Sequence, residues 1–166
     1  MQWILMVVIC GGALLLSLSL HNKKKTELMS KGMIIERGNN FFKQVHLFQT
    51  RVGDFAIISG AINRNVLNEQ QITFEPYIEH GQIIFDNRIS FGSFRARLTM
   101  LGQQDGKYHY RFQVESWREG QYGITRQDLF GANVLLTAIE RAFLSLDPET
   151  TADQMASKYK TKPAFF

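Results

Sequence analysis

Between Met1 and Leu20 the chain carries no lysine, arginine, aspartate or glutamate. At about 1.5 Å per residue, a helix of that length spans roughly 30 Å, the thickness of a bilayer's hydrocarbon core. The absence of charge therefore predicts a transmembrane anchor over residues 1–21. Cysteine is nearly missing too. The single one, Cys10, lies inside the uncharged run. The remainder of the chain has no thiol for a disulfide or a thiolate metal site, which fits a reducing compartment. Also lacking are metal-ligand spacings among the four histidines, a Gly-rich phosphate loop, a nucleophile elbow, internal repeats and low-complexity stretches. These absences leave no motif for an enzyme, a cofactor or a metal.

The residues after the uncharged run fix its direction. Lys23, Lys24 and Lys25 come directly behind it, and Lys31 and Arg37 lie close by. Basic residues within about 15–20 positions of a span are retained on the cytoplasmic side. The expectation is an N-terminus outside and a cytoplasmic domain at the cell membrane. The alternative is an exported domain, released by cleavage near Ser17-Leu18-Ser19. Against it stand the missing basic n-region and an apolar run longer than a signal core. Residues 22–40 read as a basic juxtamembrane linker.

All 19 basic and 15 acidic residues lie beyond the anchor, giving the rest of the chain the whole net charge of +4. That excess suits an anionic membrane surface and is too small to imply nucleic acid. The remaining length suits one domain, placed at 41–147. Its first element lies within 41–50, where Phe41, Val45 and Phe48 fit a helical face but β-branched and aromatic residues favour a strand at 43–50. Asp54 then caps a helix whose apolar face holds Phe55, Ile58 and Ile62. Strands come next at 71–76 and 82–86, with turns at His80-Gly81 and Asn87-Arg88. Pro76 confines the first of these to a sheet edge.

The clearest strand pair alternates Phe94, Ala96, Leu98 and Met100 against Tyr108, Tyr110, Phe112 and Val114, joined by a turn across Gly102–Gly106. Asp105-Gly106 is a strong hairpin signal. One face is apolar and the other polar, the pattern of an antiparallel sheet covered on one side. Thr125 and Asp128 open a helix over 126–146, and Asp147-Pro148 ends it. Its apolar arc is unusually wide, so it is covered on more than one side, by the sheet and the first domain helix or by the sheet and a second subunit, and Asn133, Thr137, Glu140, Arg141 and Ser145 make its polar stripe. Residues 150–157 read as a short helix within a basic and aromatic tail, 148–166.

The fold class is α+β. Its element order is strand, helix, four antiparallel strands and helix, with helices on one face of the sheet. This order is similar to that of the TATA-binding protein repeat and of helix-on-sheet ligand-binding folds, a likeness of topology that does not give function.

Two surfaces stand out. Arg95, Arg97, His109 and Arg111 share the polar sheet face, with His109 beside Arg97 and Arg111, and make a candidate anion site. Lys23, Lys24, Lys25, Lys158, Lys160, Lys162, Phe165 and Phe166 form a candidate membrane-surface contact. The reading is a non-catalytic, membrane-anchored interaction module. It binds a protein partner or its own copy through the wide apolar helix at 126–146. The alternative is a binder of anionic ligands, lipid headgroups or nucleic acid. Phe94, Tyr108, Tyr110 and Phe112 read as core before they read as a ligand pocket.

Overall fold

The computed structural model describes residues 2–30, 34–37, 39–66, 72–77, 80–89, 92–117, 119–120, 123–124 and 126–152. It has an α+β architecture. Helix α1 (Gln2–Ser30) leads. A 3-10 turn (Asn39–Lys43), strand β1 (His46–Thr50) and helix α2 (Phe55–Val66) come after it. Strands β2 (Ile72–Tyr77), β3 (Gln82–Ile89), β4 (Gly92–Gln104) and β5 (Lys107–Trp117) are next. Two-residue strands β6 (Glu119–Gly120) and β7 (Gly123–Ile124) pair with each other. Helix α3 (Arg126–Leu146) and a two-residue strand β8 (Thr151–Ala152) complete the described chain.

The main sheet runs in the order β2-β3-β4-β5-β1-β8, antiparallel throughout. β2 lies at one edge, the position a proline-bearing strand favours, with Pro76 in register with Ile83. The β4–β5 hairpin closes on two residues. Asp105 (φ 51°) and Gly106 (φ 75°) both adopt left-handed backbone. A mirror-image turn of this kind matches the right-handed twist of its strands. The turn is thus shorter than the five residues expected, because β4 continues to Gln104.

Alternation places Phe48, Phe85, Leu98, Tyr110 and Phe112 on one face, packed with Ile58 and Ile62 of α2 and Leu135, Ile139 and Phe143 of α3. Phe143 is the hub, with ring centroids 5.0 Å from Phe48 and 5.1 Å from Tyr110. Phe94, Tyr110 and Phe112 are core, and Tyr108 packs against them. Gly53 shows how close the packing is. A Cβ there would stand 2.2 Å from the Tyr108 ring.

Several expectations give way to longer-range forces. The 3-10 turn holds Phe41 and Phe42 in the core, so β1 begins at His46 rather than 43. Phe42 stacks edge-on against Trp117 at 5.4 Å, an anchorage that local strand propensity did not foretell. β3 runs through Asn87 and Arg88 to Ile89, because it pairs with β4 along its whole length. The linker is helical as far as Ser30. Thr151–Ala152 is a strand bonded to Phe48 and Gln49 rather than part of a helix, and residues 153–157 lie outside the described residues.

α3 takes its cover from the sheet and α2. Every residue from Asp128 to Glu140 is buried. The wide apolar arc is covered by this chain's own sheet, α2 and 3-10 turn, leaving Leu144 as its exposed large apolar residue, 38% accessible. By length and hydropathy, Asp128–Leu146 passes as a membrane span among the described residues, yet 78% of it is buried within the domain.

Candidate functional site: a buried clamp and the outer face of the sheet

Asn133, Thr137 and Glu140 recur at helical spacing, so α3 presents them on one side. They do not meet water. They meet Arg37, whose side chain is wholly buried. Its Nη1 donates to Glu140 Oε1 at 3.0 Å, and its Nη2 to Oε2 at 2.6 Å. Nη2 also donates to Thr137 Oγ1 at 3.3 Å, and Nε donates to Asn133 Oδ1 at 3.2 Å. Asn133 Nδ2 donates to the Ile35 carbonyl at 2.7 Å, and the Ile35 amide returns a longer bond of 3.4 Å. Ile34 packs against Phe130 and Val134. A planar fork matched to a carboxylate is the geometry that makes arginine specific rather than merely positive.

Residues 34–37 are therefore fastened to the core, not part of a free linker. By sequence alone, Arg37 is only one more basic residue beside the anchor. Its partners lie about a hundred positions away (separations of 96 to 103), beyond any local pattern. A polar stripe on an otherwise apolar helix was the signal that a buried partner existed.

A second tie closes the other end of α3. Asp147 Oδ2 accepts from Thr50 Oγ1 at 3.0 Å and from the Arg51 amide at 2.8 Å. Oδ1 accepts from the Glu149 amide at 3.1 Å. The Arg51 amide bond, with lesser help from Glu149, Thr50 and the Arg51 charge, holds this carboxyl below its ordinary range against the opposing effect of burial. Tyr110 donates to the Val52 carbonyl at 2.8 Å. Its phenol is pushed well above the ordinary value, first by burial and then by Tyr108 and Asp54.

The outer sheet face separates the candidate anion residues. Arg97 is ion-paired with Glu115, its Nε 2.7 Å from Oε1 and its Nη2 donating to Oε2 at 3.1 Å, and its Nη1 donates to Gln82 Oε1 at 2.7 Å. A bulge that leaves Glu115 outside the Arg95–Ser116 and Ala96–Val114 pairs delivers that carboxylate. Arg95 lies 3.9 Å from Asp86. Arg111 pairs across the backbone with Thr99 and Leu47. His109 does not lie beside Arg97 as expected. Arg97 pairs with Gln113, and His109 with Gly102 and Gln49, about 13 Å further along at the usual strand rise.

A second bulge between Met100 and Gly102 leaves Leu101 out of the ladder and 54% exposed. Beside it lies a hollow of about 420 Å³ whose lining includes Leu47, Leu101, His109 and Ala152, with Phe48 and Tyr110 of the core also bordering it. A smaller one of about 290 Å³ continues past Leu101 and His109 along Gly102 and Gln104. Sequence reasoning missed both, because a bulge changes which way a side chain points without altering the hydrophobic pattern around it.

His46 is buried and donates from Nε2 to the Phe41 carbonyl at 3.0 Å, a structural bond. His80 sits exposed before the β3 turn. Among the described residues no three of His, Cys, Asp and Glu gather as a metal site. Lys23 is exposed on α1. The side chains of Lys24 and Lys25, and all of Lys158, Lys160, Lys162, Phe165 and Phe166, lie outside the described residues. No family model matches the chain, no curated protein matches it, and no solved structure matches it.

Proposed function

We propose that this chain is a single-pass membrane protein whose α+β domain is a non-catalytic interaction module held close to the bilayer. One observation carries the reading. α1 is a single helix from Gln2 to Ser30 that begins with the uncharged run, and only six residues separate its end from the wholly buried Arg37. A hydrophobic segment of this length is stable in hydrocarbon, where a helix satisfies every backbone group internally. The lysines after it favour a cytoplasmic domain. The clamp leaves no long tether, so the domain stays near the headgroups.

With α3 covered, the outer sheet face is the surface left for a partner. Two of its three arginines are answered by acids of the same face. This weakens the reading of a pooled anion site and favours a protein partner. Reporter fusions at the C-terminus test the topology, one active only in the cytoplasm and one only outside. Activity of the cytoplasmic reporter in a carbonate-resistant membrane fraction is the expected result. Recovery of a soluble chain shortened by its first twenty or so residues would overturn the reading in favour of export.

A further inference from the structure

We propose that the hollow at Leu47, Leu101 and His109 docks an extended, acidic segment of another protein, which inserts an apolar side chain between the two leucines. The inference rests on the interaction-module reading and names its surface and the chemistry of its partner. Two backbone features build the hollow. The bulge turns Leu101 outward, and Gly102 leaves the space opposite His109 open, with nothing within 4 Å of where its Cβ would be. Leu47, 37% exposed, supplies a second apolar contact. The volume of about 420 Å³ lies within the range of pockets that accept ligand groups.

Charge identifies the occupant. Lys107, His109 and Arg111 stand at alternate positions of β5 and share its outer side. Among the described residues none of the three is ion-paired. Of the acids nearby, Glu115 is engaged with Arg97 and Glu149 with Arg51, and Asp105 in the turn before Lys107 offsets one of the two formal charges of Lys107 and Arg111, so the strip stays cationic. The chain's own tail bears Lys158, Lys160 and Lys162, and like charge repels it from this face. A second copy meeting the first across a two-fold axis would set the same cations against themselves. A flat bilayer surface leaves the concavity unfilled. An acidic strand with an apolar side chain satisfies both the charge and the shape.

The test uses the full chain in nanodiscs of zwitterionic lipid, titrated with a fluorescent peptide of alternating Glu and Leu. The expected result is saturable binding that falls with salt. Leu101→Ser and Arg111→Glu should each weaken it about tenfold. Arg111→Glu should also improve binding of the matching Lys–Leu peptide. Leu101 is exposed, so an unchanged melting temperature confirms that Leu101→Ser folds. Three results would overturn the proposal: affinity unmoved by either substitution, equal binding of a Glu–Ser peptide, or protection of the 101–109 amides by anionic-lipid discs but not by peptide.

Photoreactive residues placed at Leu101 and at Ile57, an exposed position of α2, distinguish failure of the docking site from failure of the module reading. A partner trapped in cells at Ile57 alone would leave the module reading standing and sink the docking site. Trapping at neither position would sink both.

Discussion

Arg37 and Glu140 are the residues on which the join between the leading helix and the domain turns. With side chains 0% and 8% exposed, the pair is shielded from water. Two charges so buried gain little over apolar replacements of similar size, but removal of one leaves the other stranded. Glu140→Ala is expected to cost about 3–5 kcal/mol in urea denaturation, and Arg37→Met a similar amount. Arg37→Met combined with Glu140→Leu should cost much less than the sum of the single changes. Strict additivity would show that the two do not interact. Asp147 makes a different prediction, in pH. Its folded carboxyl titrates below its unfolded value, so its contribution is complete above the unfolded pKa of about 3.9 and fades as pH falls through the folded one. Asp147→Asn should therefore lose less stability than the parent chain on acidification below about pH 4, read as the shift in urea midpoint.

At the scale of elements, what the sequence disclosed was what short-range chemistry controls. α2 is legible because Asp54 is both the residue type and the position that a helix start requires. Its Oδ1 accepts from the Ala56 amide at 2.9 Å and the Ile57 amide at 3.2 Å. Asp54→Ala should cost about 1 kcal/mol, measurable as a lower melting temperature, with the Asn variant recovering most of it. α3 and the β4–β5 hairpin are legible for the same reason, since periodicity and Asp105-Gly106 are local signals. The elements misjudged are those set by distant contacts. The start of β1 depends on Phe41 and Phe42 reaching the core, and β8 exists because β1 has an edge to offer. The clamp stayed hidden because Asn133, Thr137 and Glu140 look like any solvated stripe until Arg37 is brought against them. The hollow stayed hidden because one unpaired residue, Leu101, made it.

At the scale of the whole molecule, the two hydrophobic clusters are built from residues 34 onward among the described side chains. A chain beginning at residue 21 is expected to leave the membrane fraction and keep the urea midpoint of the full protein. A collapsed midpoint would show that the leading helix supports the fold directly.

The pairing of β1 with β5 sets a timetable. β1 emerges from the ribosome some sixty residues before the strand it joins, and Arg37 precedes Glu140 by 103 positions. At about 5–20 residues per second, Arg37 waits several seconds for its carboxylate, so during synthesis the chain holds a solvated guanidinium and an unpaired strand. Ribosome-stalled chains ending before residue 126 should be cut readily by protease within 34–50. Chains stalled after a C-terminal linker long enough to carry Ala152 clear of the exit tunnel should resist. The domain thus stays unfinished, and in need of shelter, until α3 is made, because that helix locks the first residues of the fold in place.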